Sequence, residues 1–252
     1  MLDTLLPAEI WGFLLVFARM GALLAMIPAL GEPQIPQRIR LGLALAVSLL
    51  VFLAIRDRLP ALPAGLGPMV GLVLIEIMIG LMMALLLRAV FSALNVAGTI
   101  AAFQTSLAFS QQVDPAQGTQ SAITASFLSM LGLVLIFASD LHLVTLEAMV
   151  RSYSVFPLGA LPPVDDFASL MTDYVAASFV LGMQIAAPFL VFGVVFNVGL
   201  GLIARLMPQL PVFFIGLPLN IFVGFALLMI ALPAMMMWFL AAYGQQLSMF
   251  VQ

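Results

Sequence analysis

Long apolar runs separated by short polar breaks set the architecture of this chain. Six runs emerge, over residues 10–30, 41–55, 69–102, 123–139 with a continuation toward 150, 174–204 and 212–243. None shows the strict alternation of a barrel strand. The pattern therefore predicts helices, which satisfy their own backbone hydrogen bonds. Pro36 falls at the first turn predicted for the second helix, and Pro60 and Pro63 close it. Asp165, after Pro162 and Pro163, is the predicted N-cap of the fifth. Pro208 and Pro211 divide the fifth run from the sixth, while Pro188, Pro218 and Pro233 fall inside runs and predict kinks.

The run lengths are irregular. The second has 15 residues, and the third, fifth and sixth exceed 30, whereas a bilayer span needs about 20. If every run crosses a membrane, Arg56, Arg58 and Arg151 gather on one side. Arg38, Arg40, Arg88 and Arg205 gather on the other, so the positive-inside rule gives no orientation. Both features predict helices packed largely against protein.

Composition sharpens the class. The 252 residues are 64% hydrophobic and 8% charged, against about half and about a quarter in soluble domains. The chain reads as an integral membrane protein, or a subunit covered by lipid and partner proteins. It has no cysteine, which excludes disulfides and thiolate chemistry. One histidine, His142, rules out an imidazole zinc site within one chain. All eight basic residues are Arg and the net charge is −3, which argues against nucleic acid. The N-terminal MLDTLLPAEIWGF carries Asp3 and Glu9 where a signal peptide needs positive charge, so it reads as no cleavable leader.

Six charges lie within or at the ends of apolar runs: Arg19, Glu76, Arg88, Asp140, Glu147 and Arg205. Each costs about 2.5–3.5 kcal/mol at a helix centre on insertion scales, so each needs a role. One reading is an ion or proton relay through Glu76 and Asp140. The other is a set of interhelix or intersubunit pairs, such as Arg19 with Glu76. Asp140 and His142 fall on different helix faces, and neither GxSxG nor HExxH occurs, so no enzyme is expected.

One stretch breaks the apolar pattern. SLAFSQQVDPAQGTQSA spans residues 106–122, and five of the chain's twelve glutamines fall between Gln104 and Gln120. From the residues alone it is a surface connector or a segment with a task of its own.

Three stretches together resemble the flagellar biosynthetic protein FliR family, the export-gate subunit of type III secretion, called SctT in virulence systems. The first is FARMGALLAMIPALGEPQIPQRIRLGLALAVS, residues 17–48. The second is the polar loop, with Asp114-Pro115 and Gly118, followed by a helix ending LIFASDLHLVTLEAMVRSYSVFPLG. The third is NVGLGLIARLMPQLPVFFIGLPLNIFVG, residues 197–224, whose Arg-x-x-Pro-Gln-x-x-Val-Phe-x-x-Gly-x-Pro pattern is the most specific. Its VFFIGLPLNI segment points to the flagellar branch.

The resemblance implies an all-α, membrane-associated fold of about six long kinked apolar helices in hairpins, within a helical export-gate assembly. A FliP-like four-helix part, residues 1–162, would precede a FliQ-like hairpin, residues 163–252. The loop at about 104–121 would plug the channel with Ser106, Phe109, Gln111, Gln112, Asp114, Pro115 and Gly118. Arg19, Glu76, Arg88, Asp140 and Arg205 would hold helices or subunits together. The implied function is non-enzymatic and without cofactor: forming and plugging the channel that passes unfolded flagellar proteins across the bacterial inner membrane, in the flagellar basal body. The implied partners are FliP, FliQ, FlhB and FlhA, with membrane lipid around them. The alternative is an ion-coupled small-solute transporter, with Glu76 and Asp140 as coupling carboxylates and the Pro-interrupted fifth and sixth helices as its site.

Overall fold

The computed structural model describes residues 2–28, 30–32, 35–108, 123–159, 164–209 and 211–251. Seven α-helices and no strand occur among them. They are α1 (Leu2–Met26), α2 (Gln37–Ile55), α3 (Leu66–Gln104), α4 (Ile123–Ala138), α5 (Leu141–Val155), α6 (Val164–Leu206) and α7 (Val212–Val251). A 3₁₀ turn, Arg56–Arg58, follows α2. Five helices are long and apolar enough to cross a membrane, or six if the α4–α5 pair counts as one span.

Proline sets several ends. Pro36 is the N-cap of α2 rather than part of its first turn, and α7 starts directly after Pro211. Helix α6 begins at Val164, so Asp165 lies inside its first turn instead of capping it. Pro188 lies within α6, and Pro218 and Pro233 within α7. At 1.5 Å per residue the 39-residue α3 is about 58 Å long, nearly twice the hydrocarbon thickness of a bilayer. Helices α6 and α7, at 43 and 40 residues, are longer still.

The fourth apolar run is not one helix. It breaks after Ala138 and resumes as α5 at Leu141. Asp140 makes the break: its φ of 57° is left-handed, and its carbonyl accepts from the Leu143 N–H at 2.9 Å to open α5. Aspartate enters this region more readily than most side chains.

The described chain forms two compact units. One comprises Met1–Ala89, Ser139–Tyr174 and Gly244–Gln252, the other Val90–Ala138 and Val175–Tyr243. In the first, α1 buries Leu15, Val16, Met20, Leu23 and Leu24, a helical stripe. Helix α3 supplies Ile79, Met82, Met83, Leu86 and Leu87 to the same unit's interior. Gly80 lets the α1 and α3 backbones approach, because a Cβ there would overlap the Arg19 carbonyl.

In the second unit the C-terminal part of α3 is the common strut. Gly98 lies against the Ala125 backbone of α4, too close for any side chain. Phe91 packs edge-on to Phe239 of α7, with ring centroids 6.0 Å apart. The Val96 side chain fills the space beside Gly182 of α6. Through these contacts the residues just before the polar loop are fixed by three other helices.

Candidate functional site: the loop root and the charged clasps

The end of α3 is a built feature. Thr105 closes the last turn, its Oγ1 donating to the Ala101 carbonyl at 2.7 Å. Ser106 follows with φ 60°, the left-handed conformation that commonly stops a helix. The chain then folds back. The Ala108 N–H donates to the Ala102 carbonyl at 3.1 Å, and Leu107 and Ala108 pack on buried Ala102 and Ala125.

Helix α7 holds this reversal through one side chain. Asn220 Nδ2 donates to Ser106 Oγ at 2.7 Å and to the Gln104 carbonyl at 3.1 Å. Thr105 lies against Gly224, and the Gln104 side chain against Gly193 of α6. Asn220 is buried, and its Oδ1 has no hydrogen-bond donor among the described residues. Where the chain re-enters helix at α4, Thr124 Oγ1 donates to the Gly98 carbonyl at 2.6 Å. Both roots of the polar loop are thus tied to α3. Of the candidate plug residues, Ser106 is placed at the first root. Phe109, Gln111, Gln112, Asp114, Pro115 and Gly118 lie outside the described residues.

The intramembrane charges of the first unit form two clasps. In the larger, Arg19 of α1 and Glu76 of α3 are both fully buried, with Nε donating to Oε2 at 2.7 Å. Arg19 Nη2 donates to the Phe156 carbonyl at 2.9 Å, and Nη1 to the Ser152 carbonyl at 3.2 Å. These are carbonyls at the C-terminal end of α5, where a cation offsets the negative end of the helix dipole. The guanidinium also lies over the Tyr153 ring, 4.1 Å from its centroid. The second Glu76 oxygen accepts from the Gly159 N–H at 3.2 Å, where glycine takes φ 83°. Both carboxylate oxygens are therefore engaged.

The smaller clasp pins the turn between α1 and α2. Arg88 of α3 donates to the Met26 carbonyl at 3.2 Å and lies 3.9 Å from the Glu32 carboxylate. Arg40 Nη2 donates to the Glu32 carbonyl at 2.8 Å. The other charges are more open. Arg56 and Glu9 pair at the surface, as do Glu147 and Arg151 at 2.9 Å. Asp140 and Arg205 are exposed, and no ion pair involves either among the described residues. Among the described residues no group of three or more His, Asp or Glu could hold a metal.

Sequence reasoning missed Asn220, Thr124 and Gly80. Asn220 had a signal, as a lone Asn within a strongly apolar helix. Thr124 and Gly80 had none, because their roles depend on which backbone lies opposite.

Residues 10–245 match the family described as bacterial export proteins, family 1. The flagellar biosynthetic protein FliR of Caulobacter vibrioides is 41% identical over 236 residues, covering 94% of each chain. FliR of Escherichia coli K12 is 30% identical over 220 residues, 85% of this chain and 82% of that one. The Yop proteins translocation protein T of Yersinia pestis is 24% identical over 239 residues, 94% and 91% of the two. With α3 carrying both Glu76 of the buried charge pair and the first root of the polar loop, and with similarity running through nearly the whole sequence, the chain belongs to the FliR family of bacterial export proteins.

Proposed function

We propose that this chain is a non-enzymatic subunit of the flagellar type III protein export gate, and that residues 106–120 plug its channel at rest. The observation that carries the reading is the double fixing of the loop: Asn220 at one root, Thr124 at the other. A plug must be held at its base while its tip can leave the path. The tip residues Gln111 and Gln112 carry neutral amides, which hydrogen-bond to any peptide group without selecting by charge. Non-helical backbone at membrane depth is tolerated where it is buried or lines a cavity.

In this reading FliP, FliQ and FlhB are the companions, with FlhA nearby, in the inner membrane at the flagellar basal body. Unfolded flagellar proteins are the cargo. Residues 1–162 are the FliP-like part and 163–252 the FliQ-like part. Arg19 and Glu76 hold helices of one chain together. Arg205 and Asp140, exposed in the isolated chain, are left for contacts between subunits. Engagement of both Glu76 oxygens weighs against its use as a coupling carboxylate in a solute transporter.

The chain has no cysteine, so an introduced one has no background. Gln112→Cys in the complete machinery, with a stalled substrate carrying its own cysteine, should give a substrate-to-loop disulfide. If control positions react, export is intact and position 112 gives none, the loop lies outside the conducting path and the plug reading is lost.

A further inference from the structure

We propose that the first unit carries a seat for one anionic phospholipid, in an open groove between α1, α2 and α3. The groove has a volume of about 450 Å³, within the usual range for small-molecule sites. Its wall is apolar and largely of small side chains: Phe17, Gly21, Ala25, Ala44 and Leu81. Its polar end is made by Gln37 and Arg40, in the first turn of α2. From Phe17 to Ala25 the wall runs about 12 Å along α1. One end therefore suits a phosphate and the rest an acyl tail.

Arg40 is the recognising group. Its hydrogen bonds among the described residues, to the Glu32 and Ile35 carbonyls, both use Nη2. Its Nε is buried and has no acceptor among the described residues. Arginine has five donors in a fixed fork, and a phosphate is the anion that matches it. The charge is also open. The Glu32 carboxylate faces Arg88 instead, at 3.9 Å. Among the described residues no carboxylate lies within ion-pair distance of Arg40 or of exposed Arg38, and the first turn of α2 has no acidic residue. The local balance over Arg38, Arg40, Arg88 and Glu32 is positive.

Position agrees with a lipid. α1 and α2 are both long and apolar enough to cross a membrane, the first ending at Met26 and the second starting at Gln37, so if both cross, the turn between them would lie at the edge of the apolar layer. Basic pockets between membrane helices at that depth take lipid headgroups. The seat is independent of the plug reading, which concerns the other unit.

The test uses the full chain in nanodiscs of equal phosphatidylglycerol and phosphatidylethanolamine. After gentle extraction, retained lipid is counted by mass spectrometry. Retained phosphatidylglycerol should exceed phosphatidylethanolamine, and Arg40→Gln should lower it about fivefold. Arg38→Gln, whose side chain is exposed, should lower it in the same direction even if Arg40→Gln folds poorly. Gly21→Leu should fill the groove, since a Cβ there meets only Phe17 at an ordinary 3.8 Å. It should lower retention with helix content unchanged.

Equal retention by all four proteins overturns the seat. Loss in the Arg variants but not in Gly21→Leu makes it plain surface attraction, which overturns the groove. Displacement by millimolar glycerol phosphate, a headgroup without tails, would assign the site to a soluble anion. A companion subunit found in the groove in place of lipid overturns the proposal equally.

Discussion

The two polar clusters of this molecule are built on opposite principles. Around Arg19 a full cation meets a full anion, and the remaining donors and acceptors go to the Ser152 and Phe156 carbonyls and the Gly159 N–H. At the loop root a neutral amide makes two bonds, and its own oxygen has no donor among the described residues. Bonds to charged groups contribute roughly 1.5–3 kcal/mol, and neutral ones about 0.5–1.5. A buried ion pair is also all or nothing, because losing one partner strands the other. The first cluster suits a joint that never opens. The second suits a contact that holds a segment without locking it.

The largest expected effect comes from opening the clasp. Arg19→Ala leaves the Glu76 carboxylate buried against one N–H and frees two carbonyls at the end of α5. Destabilisation of about 3–5 kcal/mol is expected, read as a fall in membrane abundance and in the thermal midpoint in mild detergent. The reversed pair Arg19→Glu with Glu76→Arg sharpens this. It restores the ion pair but turns a carboxylate toward the Ser152 and Phe156 carbonyls, so rescue should be partial. Complete rescue would remove the role given to those carbonyls, and no rescue would remove the pair.

Next is Asn220→Leu, which strands the Gln104 carbonyl and Ser106 Oγ but also removes the unmatched oxygen. A cost of about 1–3 kcal/mol per stranded group is the ceiling. The chain should accumulate normally. In vesicles holding the complete export machinery, resting leak of small ions should rise severalfold. Unchanged leak at equal abundance would show that the root does not restrain the loop.

The helices were legible in the sequence because apolar length and proline placement are properties of the chain itself. The break at Asp140 was not. LIFASDLHLV reads as one run with a brief polar dip, and only the left-handed backbone at Asp140 turns it. Arg19 and Glu76 were conspicuous as charges in apolar runs. What completes their cluster was invisible, since Ser152, Phe156 and Gly159 contribute backbone groups that every residue has. Asn220 is the lone asparagine of α7, but its partners, the Gln104 carbonyl and the Ser106 hydroxyl, lie on a distant stretch of chain that no sequence pattern links to it. Residues 109–122, which hold most of the candidate plug, lie outside the described chain.

Asp140 offers a smaller effect that separates two roles. At φ 57° a β-branched side chain is strained, so Asp140→Val should cost about 1–2 kcal/mol, seen as a lower thermal midpoint. Asp140→Asn keeps a residue suited to this conformation and removes the charge. Normal export in Asp140→Asn would assign the position to the bend. Lost function with an unchanged midpoint would instead revive the coupling carboxylate of the transporter reading.

The smallest expected effect is the most diagnostic of what burial does. Glu147 and Arg151 form an Arg–carboxylate pair at 2.9 Å, close to the 2.7 Å of Arg19 and Glu76, but both side chains are 49% exposed against 0% for the clasp. Solvated i,i+4 pairs contribute about 0.3–0.5 kcal/mol, so Glu147→Gln should leave the thermal midpoint nearly unmoved. Since charge, chemistry and distance are alike in the two pairs, the gap between Arg19→Ala and Glu147→Gln measures desolvation and the added backbone bonds. A large shift in Glu147→Gln would place that pair in a buried interface of the working assembly, and the division between closed clasp and open surface would have to be redrawn with the assembly in view.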